Sequence, residues 1–265
     1  MVTKKDIDLF IEKIPPTPKI LQATMMLVNN GELSKAAKIA EQDLALKSYL
    51  SDLVNKPLYG FRNKVSDIGQ IFGILGLPAS QQTLYNYMLT LLSPKKWELF
   101  KLNEKSFSEL QVNLSIKWKK ILEHLNIVDK DIESAITLLP ASIIVSEALF
   151  AGVKKDVELL RSVHNLDYNT ILQRLCGTSL FDICVQIADK WDMPENISEI
   201  VLSSSGLHPS NNHEIDMLAK WMHLLLFYEL SQPMFVEATL NDFIDFQIDY
   251  VSDIYEEFAQ VMEIE

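Results

Sequence analysis

Apolar side chains in this chain recur three and four residues apart, and no stretch keeps up the Val-, Ile- and Thr-rich alternation of strands. Residues 4–13 place Ile7, Phe10 and Ile11, with Ile14 just beyond, on one stripe that stops at Pro15-Pro16. Pro18 suits the first turn of the next helix because its φ is already helical. That helix carries Ile20, Leu21, Thr24, Met25 and Leu27 up to the C-cap signal Asn29-Asn30-Gly31. Ser34 is the expected N-cap of a short helix over 35–41, and Asp43 caps the next, which bears Leu46, Tyr49, Leu50, Leu53 and Val54. Asn55-Lys56-Pro57 ends it, since a residue before proline is pushed out of the α region. Asn55 itself is expected in a left-handed cap. A loop through Leu58, Tyr59, Gly60 and Phe61 leads to Ser66 or Asp67, which caps a helix reaching Gly73-Ile74-Leu75-Gly76. Pro78 opens another that ends near Ser93-Pro94. Punctuation this dense predicts about five short helices in the first 93 residues, an orthogonal bundle rather than long up-and-down helices.

The second block continues in the same way. Helices are predicted over 107–126, with Leu110, Leu114, Trp118, Ile121, Leu122 and Leu125, and from Asp131 to Phe150, where Pro140 kinks the helix or starts a fresh turn. Others follow over 154–163, 168–175, 180–191 and 195–202, with Pro194 opening the last of these and the polar stretch 203–212 as the clearest loop. Residues 213–265 read as two helices broken near Ser231-Gln232-Pro233, the second carrying Phe243, Val251, Ile254, Phe258, Val261 and Met262 on its apolar side. The expected fold is all-α: an orthogonal multi-helix bundle with a front helical subdomain at 1–100, packed as one unit with a second bundle at 101–265.

Composition agrees with a globular chain, with 48% hydrophobic residues, 23% charged and only 8 glycines in 265. The opening Met1-Val2-Thr3-Lys4-Lys5-Asp6 has no apolar run behind it and predicts no signal peptide. Apolar runs such as Met222 to Tyr228 fall far short of the roughly 20 residues a bilayer needs, so a cytoplasmic protein without membrane insertion is expected. Charge is uneven: residues 1–130 hold 18 lysines and arginines against 13 acids, whereas 131–265 hold 6 against 23. The net charge of −12 argues against nucleic acid as a partner, and the front-half lysines are scattered rather than clustered. Residues 213–265 carry 12 acids and one base, Lys220. Cys176 and Cys184 read as sharing one helical neighbourhood, about 12 Å apart along a continuous helix. That is too far for a disulfide and implies buried free thiols.

Three segments carry a family resemblance. Ile14-Pro15-Pro16-Thr17-Pro18, Leu53-Val54-Asn55-Lys56-Pro57-Leu58-Tyr59-Gly60 and Gly73-Ile74-Leu75-Gly76 resemble the front half of the HDOD domain, the HD-related output domain of bacterial signalling proteins. Trp191-Asp192-Met193-Pro194 resembles a turn common in that family. The likeness covers roughly residues 10–210 and is strongest over 14–93. It implies that the second bundle is a degenerate relative of the HD phosphohydrolase scaffold. Those enzymes hold a divalent cation through a histidine, an adjacent His-Asp pair and a distant aspartate. Laid on that pattern, the first histidine falls near Asn113 and the doublet at Pro140-Ala141, within Leu138-Leu139-Pro140-Ala141-Ser142-Ile143. The later positions fall near Ser179 or Leu180 and Ser204-Ser205, so none of these places supplies a ligand.

No catalytic, metal or cofactor residue is therefore expected. Asn113, Pro140, Ser179 and Ser204 mark a candidate vestigial pocket, for which a small-molecule ligand stays open but unsupported. Pro15, Pro16, Pro18, Asn55, Tyr59, Gly60, Gly73, Gly76, Trp191 and Pro194 are expected to keep the fold, with Gly73 and Gly76 permitting close helix approach or a cap. Of the five histidines, His124 is expected at a helix C-terminus on the surface, His164, His208 and His213 in or beside loops, and His223 partly buried. The resemblance implies a non-catalytic signal-transduction protein acting on other signalling proteins, in processes that include motility and gene expression. The alternative is a nucleotide-binding protein or phosphohydrolase that keeps the pocket with other ligands, for which Asp182, Asp189, Asp192 and Asp216 are the available carboxylates. The acidic end, 213–265, is a candidate docking element or a cover for the core.

Overall fold

The computed structural model describes residues 1–57 and 60–264. Tyr59, expected to pack in the fold, lies outside the described residues together with Leu58 and Glu265. The described residues form sixteen α-helices and no strand. They are α1 (Lys4–Lys13), α2 (Lys19–Asn29), α3 (Leu33–Ala40), α4 (Leu44–Val54), α5 (Ile68–Leu92), α6 (Glu104–His124), α7 (Lys130–Ala135) and α8 (Leu139–Phe150). Then follow α9 (Lys154–His164), α10 (Tyr168–Cys176), α11 (Leu180–Lys190), α12 (Glu195–Ser203), α13 (His213–Leu230), α14 (Pro233–Glu237), α15 (Ile248–Val251) and α16 (Tyr255–Met262). The chain divides into two compact units: residues 1–14, 92–128 and 135–265 make the larger, and 15–91 with 129–134 the smaller.

In the smaller unit α2 packs on α3, burying Leu21, Met25 and Val28 with Ala36, Ala37 and Ala40. Asp43 caps α4 as its sequence predicts, accepting from the amides of Ala45 and Leu46 at 2.9 and 3.1 Å. Ser34, by contrast, lies inside α3, which begins one residue earlier after Glu32. Asn55 departs from its expected left-handed cap: its φ is −86°, and its side chain works instead. The amide donates to the carbonyls of Ser51 (2.6 Å) and Val65 (2.7 Å), and its oxygen accepts from the Val65 N–H at 2.9 Å. Two of these bonds tie the end of α4 to Val65, and the third stays within the last turn of the helix. Gly76, at φ 72° and ψ 178°, breaks α5 into two helical halves, a conformation essentially reserved for glycine. At Gly73 an added Cβ would meet nothing within 4 Å, so no close helix approach explains it.

In the larger unit α8 is buried on nearly every side, with α1, α11 and the flanking 3₁₀ turns packed around it. Pro140 sits in its first turn, where a missing N–H costs no hydrogen bond, and the 3₁₀ turn Ile136–Leu138 separates α8 from α7. The stretch 130–164 is long and apolar enough to cross a membrane by length and composition, more than single apolar runs of the sequence suggest, and 78% of its apolar window is buried inside the protein. Cys176 and Cys184 stand on separate helices, α10 and α11, which meet at 81° across Gly177. Cys184 is fully buried, and that burial pushes its thiol pKa far up. The second C-terminal helix expected from the sequence is instead broken into α14, α15 and α16. The intervening segment leaves helical geometry because tertiary partners hold it. Phe243 packs 6.0 Å from both Phe100 and Tyr168, and the Gln247 N–H donates to His223 Nε2 at 3.2 Å.

Candidate functional site

Of the four positions of the vestigial pocket, the two serines have their hydroxyls tied down locally. Asn113 is half-buried on α6, and Pro140 and Ala141 are buried in the first turn of α8 with no side-chain donor or acceptor to offer. Ser179 is the N-cap of α11: its hydroxyl accepts from the Asp182 N–H (2.9 Å) and donates to the Asp182 carboxylate (2.7 Å). Ser204 follows α12, and its hydroxyl donates to the Val201 carbonyl at 2.7 Å. Asp182, one of the carboxylates considered as a ligand, is thereby occupied in a capping box, and Asp216 accepts from the Tyr250 hydroxyl at 3.0 Å. Among the described residues no three His, Cys, Asp or Glu side chains converge as a metal site would require. At the other family position, Trp191 ends α11 and Pro194 caps α12, with Asp192 between them in the left-handed region at φ 54°.

His223 is completely buried rather than partly so. Its Nδ1–H donates to the Ser204 carbonyl at 2.8 Å, which leaves Nε2 as the acceptor for the Gln247 N–H. Phe246 stacks on the ring at 5.5 Å, while Phe227 lies 4.9 Å away. Burial holds its pKa down to about 4, the Ser204 carbonyl only partly offsetting this, so the imidazole is neutral. Gly206 lies under the same segment, where a Cβ would come within 2.8 Å of Gln247. His223 is thus a clasp holding 245–250 against α13 rather than a ligand. His124 ends α6 as expected but is not merely solvated: Nε2 lies 2.8 Å from Glu257 and the ring 5.8 Å from that of Trp221.

Two buried carboxylates escaped the sequence reading. Glu147, the single charged residue of α8, is 2% exposed and accepts from the backbone amides of Glu98, Leu99 and Phe100 at 2.5–3.1 Å. Glu229 on α13 is fully buried and pairs with Lys117 of α6. A lone acid in an otherwise apolar helical run was the signal available for both.

Also unanticipated is a cavity of about 950 Å³ formed by α9, the turn after it, α13, residues 241–246 and α16. Leu224, Phe227 and Phe258 line its interior, with Phe246, Tyr255 and Ile264 also on its walls and partly exposed. Glu158, Asp167, Asp242 and Asp245 supply carboxylates, and Arg161 is the single basic lining residue. Glu158 lies 3.6 Å from Lys154, Asp242 lies 3.7 Å from Arg161, and Asp167 accepts from Thr170. Arg161 is already engaged: it donates to the Tyr168 hydroxyl (3.0 Å) and the Asp242 carbonyl (3.1 Å) and lies 4.4 Å over the Tyr168 ring. None of the four vestigial-pocket residues lines this cavity.

A helical bundle with these turns, and without the His-Asp set of a phosphohydrolase, matches the HDOD domain over residues 14–206. The chain belongs to the HDOD domain family. Its fold is similar to an HDOD domain protein from Geobacter sulfurreducens (16% identity, 98% of this chain and 95% of that one, TM-score 0.64). It is likewise similar to a candidate phosphohydrolase from Shewanella amazonensis SB2B (13%, 97% and 97%, TM-score 0.64). A candidate signal transduction protein from Marinobacter aquaeolei VT8 is longer, this chain covering 62% of it at 15% identity and TM-score 0.67. No curated protein matches the chain.

Proposed function

We propose that this protein is a non-catalytic regulator of bacterial signal transduction, working in the cytoplasm through contacts with other signalling proteins in pathways such as motility or gene expression. The observation that carries this reading is the Pro140-Ala141 pair, buried in the first turn of α8 where the resemblance places the metal-binding doublet. Proline has no side-chain lone pair and alanine none either, so this position cannot hold or orient a cation. The local capping of Ser179 and Ser204 supports the same reading. The test is metal analysis of protein purified without chelator or histidine tag, followed by phosphodiesterase assays on cyclic dinucleotides with added manganese. Less than about a tenth of an equivalent of metal and no turnover is expected. Stoichiometric metal with turnover would replace this reading by a phosphohydrolase that uses a different ligand set.

A further inference from the structure

We infer that the 950 Å³ cavity beside α9 and α16 is the docking site for a short amphipathic segment of a partner protein, one presenting an aromatic or aliphatic anchor flanked by lysines or arginines. This rests on the interaction reading above and adds where the contact is made and what chemistry the partner brings.

Three observations converge. The interior is apolar and aromatic, and its volume, near the top of the range for ligand pockets, accommodates a large side chain with its flanks. Its walls include apolar surface that folding has left in water: Tyr255 is 51% exposed, Phe246 36% and Ile264 37%, and Ile248, two residues beyond Phe246, is 65% exposed. Large apolar side chains left in water around one cavity mark a surface that binding can cover. The surface therefore extends past a single enclosed ligand, as a peptide chain requires.

Charge then selects the partner. Glu158 lies on α9, while Asp242 and Asp245 lie on the segment before α15; all three are exposed. Glu158 is paired with Lys154 and Asp242 with Arg161 across solvent-facing contacts of 3.6 and 3.7 Å. Asp245 accepts from the Gln247 amide at 3.1 Å and makes no ion pair among the described residues. The one lining cation, Arg161, is held through its two terminal nitrogens by Tyr168 and Asp242, with Nε buried and without a partner among the described residues, so the lining stays net negative. An acidic segment, an anionic lipid surface or a second copy of this chain, itself at −12, would meet repulsion, whereas flanking lysines or arginines would be drawn in.

The test is fluorescence anisotropy with a labelled synthetic helical peptide of about 16 residues, long enough to hold a helix, bearing Phe and Leu at i, i+3, i+4 and i+7 and lysines elsewhere. Its counterpart has every lysine replaced by glutamate. The lysine peptide is expected to bind with a dissociation constant on the order of 10 μM, weakening with salt, and the glutamate peptide at least about tenfold more weakly. Asp245→Lys combined with Tyr255→Ser should cost a further tenfold or so, whereas Asp8→Lys on α1, outside the cavity, should cost nothing. Both substituted side chains are exposed, and circular-dichroism melting checks that the variants fold. Equal binding of the two peptides, equal binding by wild type and double variant, or binding only of a small aromatic cation such as benzylammonium would overturn the inference. So would binding of neither peptide. If a cross-linked cellular partner is captured equally by wild type and the double variant, the interaction reading survives and this site falls.

Discussion

Glu147 shows what a single side chain can decide. A carboxylate that has left water is tolerable only when its oxygens are saturated, and here three consecutive amides of the 98–100 segment saturate them. Glu147→Ala would leave those N–H groups buried without partners and is expected to cost about 3–5 kcal/mol in urea unfolding, far more than a surface truncation. His223 makes a pH-dependent contribution of definite sign. An unfolded histidine titrates near 6.5 and this one, folded, at about 4. Between those values the unfolded chain takes up a proton the folded protein refuses, so stability is whole above pH 6.5 and falls as the pH drops toward 4. At pH 5 the loss should be about 2 kcal/mol relative to pH 7, and a His223→Gln variant should lack that part of the slope in parallel melts. Equal slopes in the two proteins would rule out His223 as the source.

Among elements, the contrast between two glycines three residues apart is informative. Gly76 occupies a backbone region closed to side chains, so Gly76→Ala should lower stability by about 1–3 kcal/mol. Gly73 is helical with open space where a Cβ would go, so Gly73→Ala should be neutral or stabilising by up to about 1 kcal/mol. Thermal melts of the pair decide it, and an equal loss from both would mean that the break in α5 is not what Gly76 supplies. Asn55→Ala removes the two bonds joining α4 to Val65 and a third to the Ser51 carbonyl, and should cost about 1–3 kcal/mol, with Asn55→Gly no better, because the side chain rather than a left-handed backbone does the tying.

For the whole molecule, charge partitions with the two units. The smaller unit carries as many basic as acidic residues, eight of each, so the full −12 resides in the larger one. The protein should pass through heparin at about 0.15 M salt and bind an anion exchanger; salt-sensitive heparin retention would instead reveal a basic face on the smaller unit.

The all-α class, most helix boundaries and the family were legible along the chain, because 3.6-residue periodicity, proline stops and caps such as Asp43 are local signals that nearby residues settle. Pro140-Ala141 likewise declared its lack of ligand atoms by residue identity alone. Asn55 illustrates the limit. Its position at a helix end was evident, yet whether backbone or side chain would satisfy it depended on Val65 lying within reach. The same holds for Glu147, for His223 and for the break between α14 and α16, where partners dozens of residues away outbid the local helical preference. The cavity between α9 and α16 belongs to that class entirely. Its walls come from residues 158–167, 224–231 and 241–264, which no periodicity connects and only long-range packing brings together.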